Sequence, residues 1–129
     1  MAEKDVVRTD RAPGPFQGAP YNQAIRVGDL VFVAGQLGIS LETGALAGAG
    51  VAEQTEQIMK NLGAILEAAG SGLDKLVKTT VFLMDLADFA AMNEVYAKHV
   101  GDRPPARSTV QIAGLPNGAL VEIEAVAHA

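Results

Sequence analysis

The feature that most limits the fold is a change in apolar spacing, repeated along the chain. Gln23-Ala24-Ile25-Arg26-Val27 and Leu30-Val31-Phe32-Val33-Ala34-Gly35-Gln36 are β-prone runs joined by Gly28-Asp29, and they predict a β-hairpin. After a glycine-bearing loop from Ser40 to Gly50, the spacing turns helical. Val51, Thr55, Ile58, Leu62, Ile65, Leu66 and Ala69 make one stripe, with Glu53, Glu56, Lys60 and Glu67 outside it and Gly70 and Gly72 as the stop. Leu76 to Met84, "LVKTTVFLM", suits a central strand covered on at least one face. Asp85 reads as the N-cap of a second helix with Asp88 at N3, and Leu86, Phe89, Met92, Tyr96 and Val100 follow at helical spacing up to Gly101. A strand over 106–113, a turn at Asn117-Gly118 and a strand over 119–127 then predict a second hairpin. The order is β-β-α-β-α-β-β, an α+β fold with two helices packed on one face of a mixed sheet. Residues 1–20, rich in Pro, Gly and charge, read as an irregular or edge-lying arm of one domain over 1–129.

Composition narrows the function. The chain is 49% hydrophobic and 19% charged, a globular balance, but only 5% aromatic. Small aliphatics give few large anchors, so part of the stability is expected from an oligomer. A net charge of -5, with Lys and Arg scattered, argues against a nucleic-acid partner. With no cysteine there is no disulfide, thiolate nucleophile or Cys-based metal site, a usage that suits a reducing cytosol. His99 and His128 lack metal-ligand spacing and read as surface residues, so no metal is expected. No apolar run approaches the ~18 residues of a bilayer span, and "MAEKDVVRTDRAPG" has no hydrophobic segment of a signal. A cytoplasmic location without a membrane partner is the expectation.

Counting outward from a two-residue Asn117-Gly118 turn pairs Val110 with Ala125 and Ile112 with Ile123. Val110, Ile112, Val121, Ile123 and Ala125 then lie under the helices. Arg107, Thr109, Gln111, Glu122, Glu124 and Val126 share the open face. That face is either solvated or covered by a second subunit; Val126 and the apolar outer side of strand 76–84 favour cover. In this register Arg107 and Glu122 sit roughly 20 Å apart along the ladder at ~3.3 Å per residue. A small ligand touching both would need them from different chains.

Several segments, in this order and spacing, resemble the RidA/YjgF family of enamine/imine deaminases: "PYNQAI" (20–25), "VAGQLG" (33–38), "ETGAL" (42–46), "AAGSGLDKLVKTTVFLMDLADFAAMNEVY" (68–96), "PPARSTV" (104–110) and "VEIEAVA" (121–127). The resemblance implies a chorismate-mutase-like homotrimer with a ligand site in each cleft between subunits. It implies hydrolysis of 2-enamino or 2-imino acids, such as 2-aminoacrylate, to 2-keto acids and ammonia, without metal or cofactor. Arg107 would clamp the substrate carboxylate, whose planar geometry a guanidinium fork matches. Glu122 would position or activate water and pass a proton to the leaving amine, with Glu124 the weaker candidate. Tyr21, Gly35, Asn93 and Thr109 complete the implied substrate-binding set. The chain departs from the family pattern at Ala34, where a serine is frequent, at Thr109, where a cysteine is frequent, and at Ala19, where glycine precedes the "PY" pair. "GPFQ" at Gly14 to Gln17 imitates that motif in the arm. Two further activities belong to the comparison: a trimer that binds small carboxylates without turnover, and an endoribonuclease or translation-inhibitor role that the acidic charge opposes.

Overall fold

Period-two alternation and helical stripes both become the elements they announce. The structure, a computed structural model, describes residues 3–129. Its elements are strand β1 (Lys4–Val7), β2 (Ala24–Val27), β3 (Leu30–Leu37), helix α1 (Val51–Ala68), β4 (Leu76–Leu83), α2 (Phe89–Val100), β5 (Ala106–Gln111) and β6 (Val121–His128). Gly28, at φ 58°, makes the tight turn between β2 and β3 that a side chain would strain. α1 begins where Glu53 accepts the N–H of Gly50 at 3.3 Å. Asp85 does cap, accepting the Ala87 N–H at 2.9 Å, but it caps a short 3-10 turn, Leu86–Asp88, that feeds into α2.

The strands form a six-stranded sheet in the order β1-β2-β3-β6-β4-β5. Every neighbouring pair is antiparallel except β4 and β5, which run parallel through the α2 crossover. Both helices cover one face. There Ile58, Met59, Leu62, Ile65 and Leu66 of α1, with Met92 and Tyr96 of α2, bury Val31, Val33, Val81, Leu83, Val121, Ile123 and Ala125 of the sheet. This is the α+β architecture with two helices on a mixed sheet.

Two expectations are corrected. The second hairpin does not exist: β6 inserts between β3 and β4, and β5 pairs only with β4. Asn117 takes a left-handed conformation, φ 59°, inside a 3-10 turn, Pro116–Gly118, on the path to the sheet centre. Strand polarity explains the placement. β6 buries Val121, Ile123, Ala125 and Ala127, whereas β5, "ARSTVQ", buries no residue fully and tolerates an edge. Of the two readings of the arm, the edge-lying one describes Lys4–Val7, which as β1 forms the opposite edge of the sheet, and the irregular one fails there. Gln23, 3% exposed, fixes the rest of the arm. Its Nε2 donates to the carbonyls of Thr9, Ala12 and Pro13 at 3.0, 3.0 and 2.9 Å, and its Oε1 accepts the Thr9 N–H at 2.7 Å.

Candidate active site

Parallel pairing decides where the arginine goes. Arg107 lies beside Thr79, and Thr109 beside Val81; both β4 residues are fully buried against the helices. Arg107 and Thr109 therefore project on the helix-covered side of the sheet, not on the open face. The Arg107 guanidinium lies over two rings of α2, its Cζ 4.9 Å from the Tyr96 ring centre and 5.4 Å from that of Phe89. Among the described residues it forms no salt bridge. Asn93 belongs to the same stripe of α2, one turn from each ring (positions 89, 93, 96), and its Oδ1 is buried without a hydrogen-bond partner. Among the described residues no donor reaches that acceptor.

Glu122 and Glu124 alternate with the buried β6 residues and so occupy the open face. Glu122 pairs across to Leu37 on one side and Phe82 on the other. It borders a cavity of about 220 Å3 that also takes in Tyr21, Gly35, Leu37, Ile39, Phe16 and Asn117. Gly35 lies in a β-bulge between Val33 and Gln36. A Cβ there would come within 2.8 Å of the Glu122 Cδ, so the bare glycine makes room for the carboxylate itself. Burial raises the Glu122 carboxyl above its ordinary value, and the neighbouring Glu124 charge adds to the rise. The Tyr21 hydroxyl accepts the Phe16 N–H at 2.6 Å, tying the arm to the cavity mouth. Asn61 of α1 shapes the wall from behind, donating to the carbonyls of Leu37 and Ile39 at 3.2 and 3.1 Å.

The six sequence candidates thus divide into two groups. Arg107, Thr109 and Asn93 gather at the β5 edge beside α2, while Tyr21, Gly35 and Glu122 gather in the open-face cavity. Register also revises their separation. Thr79, beside Arg107, faces Ala125 on β6, three positions from Glu122, which is roughly 10 Å along the strands. Two strand spacings add about 10 Å across the sheet, and the sheet itself stands between the two side chains. One small ligand cannot touch both within one chain.

His99 is not a surface residue. Its side chain is 19% exposed and its Nε2 lies 2.8 Å from Glu56 Oε1, joining α2 to α1. That bond, ahead of the opposing effect of burial, holds the Glu56 carboxyl below its usual value. Sequence reasoning missed Phe89 and Tyr96 as partners of Arg107, because their helical spacing says core and nothing local pairs them with a strand. It also missed Asn61, which only the return of the loop after β3 onto α1 reveals. Among the described residues no group of three or more His, Asp or Glu side chains could hold a metal ion, and no helix is long and apolar enough to cross a membrane.

A family model described as endoribonuclease L-PSP, the RidA/YjgF family, matches residues 11–129. The chain belongs to the RidA/YjgF family. Within it, the chain is 49% identical over 125 residues to a chloroplastic Reactive Intermediate Deaminase A of Arabidopsis thaliana, covering 97% of this chain and 66% of the plant protein. It is 44% identical over 122 residues to the 2-iminobutanoate/2-iminopropanoate deaminase of Homo sapiens, covering 95% of this chain and 88% of the human one. The crystal structure of RidA from the Antarctic bacterium Psychrobacter superposes with a TM-score of 0.91 at 43% identity, covering 97% and 99% of the two chains.

Proposed function

We propose that this protein hydrolyses 2-imino acids, and the 2-enamino acids that tautomerise to them, to 2-keto acids and ammonia. The site lies in clefts between the subunits of a cytoplasmic homotrimer. The observation that supports this reading is the placement of two groups suited to that chemistry, the Arg107 guanidinium and the Glu122 carboxyl raised by burial, on opposite faces of one sheet. Only another copy of the chain can bring an Arg107 to a Glu122. The open face offers the contact, because Phe32 is 45%, Leu30 44%, Val110 42% and Val6 50% exposed there. The deaminase names of the human and plant relatives support the same chemistry.

Arg107 receives the substrate carboxylate on its guanidinium, placing the imine carbon toward the neighbouring subunit's cavity. Ionised Glu122 orients a water and takes its proton as oxygen attacks that carbon. Glu122 passes that proton to the imine nitrogen, and the neutral tetrahedral carbinolamine forms. The carboxylate then takes the carbinolamine hydroxyl proton and relays it to the amine; the C–N bond breaks as the C=O bond forms, ammonia departs from a 2-keto acid, and Glu122 is ionised again. Tyr21, Asn93 and Thr109 would bind the substrate's polar groups. The steps use water, one guanidinium and one carboxylate, and need no metal or organic cofactor.

The test generates imines from several amino acids with an amino-acid oxidase and follows keto-acid release. Acceleration over buffer, lost in Arg107→Ala with the assembly intact, is the expected result. No acceleration with any amino acid overturns the proposal. If keto acids bind in calorimetry while no imine is turned over, the protein is a carboxylate-binding trimer instead. The ribonuclease description attached to the family model has less in its favour: a net charge of -5 predicts no steeply salt-dependent RNA affinity.

A further inference from the structure

The contacts behind Arg107 join three elements. Arg107 comes from β5, the rings of Phe89 and Tyr96 from α2, and Thr79 from β4. The Tyr96 hydroxyl and the Thr79 Oγ1 lie 2.7 Å apart, and both residues are almost fully buried. Burial raises the Tyr96 hydroxyl above its usual value, against the smaller opposing influences of Thr79 and Arg107, so it stays neutral and able to share that hydrogen bond. The two rings stand two helical turns apart on one stripe (positions 89 and 96), the span of a guanidinium and its stem. An arginine on an edge strand ordinarily samples many rotamers, and binding must freeze them. Here the guanidinium carbon lies over both rings, and among the described residues the group makes no salt bridge that would compete for a carboxylate.

We infer that Phe89 and Tyr96 are positioning residues that preorganise Arg107, with the Thr79–Tyr96 hydrogen bond fixing the plane of the inner ring. Its catalytic consequence rests on the deaminase reading above, but the ordering of Arg107 is a property of the ligand-free protein. Order is therefore measured first, by NMR of the Arg107 Nε–H group, assigned from its loss in Arg107→Lys. In the intact protein this signal shows a ring-current shift and restricted motion. Phe89→Leu, at a position 41% exposed and tolerant of change, moves it toward the free-arginine position and mobilises it, while Phe89→Tyr restores both. Tyr96→Phe keeps the stack and loses the Thr79 bond, giving an intermediate shift. In turnover, Phe89→Leu raises KM about two- to fivefold with kcat little changed, the factor expected of an exposed cation–π contact. An Arg107 signal that is equally mobile in the intact protein and in Phe89→Leu overturns the inference. An ordered, Phe89-dependent Arg107 in a protein that turns over no imine upholds the positioning role and refutes the deaminase reading alone.

Discussion

Two glycines near the cavity separate function from stability at the level of single atoms. At Gly35 an added Cβ would meet the Glu122 carboxyl at 2.8 to 2.9 Å, the movable end of a side chain. At Gly38 it would lie 2.5 Å from the Gln54 carbonyl oxygen and 2.7 Å from its Cα, which belong to a rigid helix. Gly35→Ala is expected to shift the carboxylate, cutting kcat at least tenfold while the urea midpoint changes little. Gly38→Ala is expected to push β3 from α1 and cost about 1–3 kcal/mol, read from the same denaturation curves. Glu122 also sets a pH signature. Burial and Glu124 raise its carboxyl, and the proposed attack on carbon needs it ionised, so activity should fall on acidification through a range above that of an ordinary carboxylate. Glu124→Gln removes the neighbouring charge and should move that acid limb of the kcat profile to lower pH, whereas Glu122→Gln should abolish it.

At the level of elements, Gln23 governs the N-terminal segment. One buried amide serves four backbone groups between Thr9 and Pro13, and that stretch leads to Phe16 at the cavity mouth. Gln23→Leu should destabilise the protein by about 2 kcal/mol or more, since the stranded backbone groups lose their partner in a buried setting. Hydrogen exchange at residues 9–16 should rise by a larger factor than in the core strands. The bounds of α1 and β4 were legible in the sequence because their periodicity is local. The pairing of β5 was not. Asn117-Gly118 is a local turn signal, but β5 is placed by the α2 crossover and by its own polarity, which no short window displays. The consequence was large: hairpin counting put Arg107 and Glu122 on one face, and parallel pairing with β4 puts them on two. The burial of His99 is illegible for the same reason, as its partner Glu56 is 43 residues away on the other helix.

For the molecule as a whole, the open sheet face and the divided site make one statement. Under the proposed function, in which each cleft draws its two groups from different copies, Arg107→Ala and Glu122→Gln subunits, each inactive alone, should recover about a quarter of full activity when mixed equally and reassembled. Recovery near zero would show that one chain supplies both groups. The sheet itself stands as a partition between Arg107 and Glu122, so under the proposed function an isolated chain would hold half of two clefts and the whole of none. Under that proposal catalytic output would depend on encounter as well as on amount. At dilutions where subunits separate, each halving of protein should more than halve the rate, and a scarce supply of chains would leave the reaction effectively switched off.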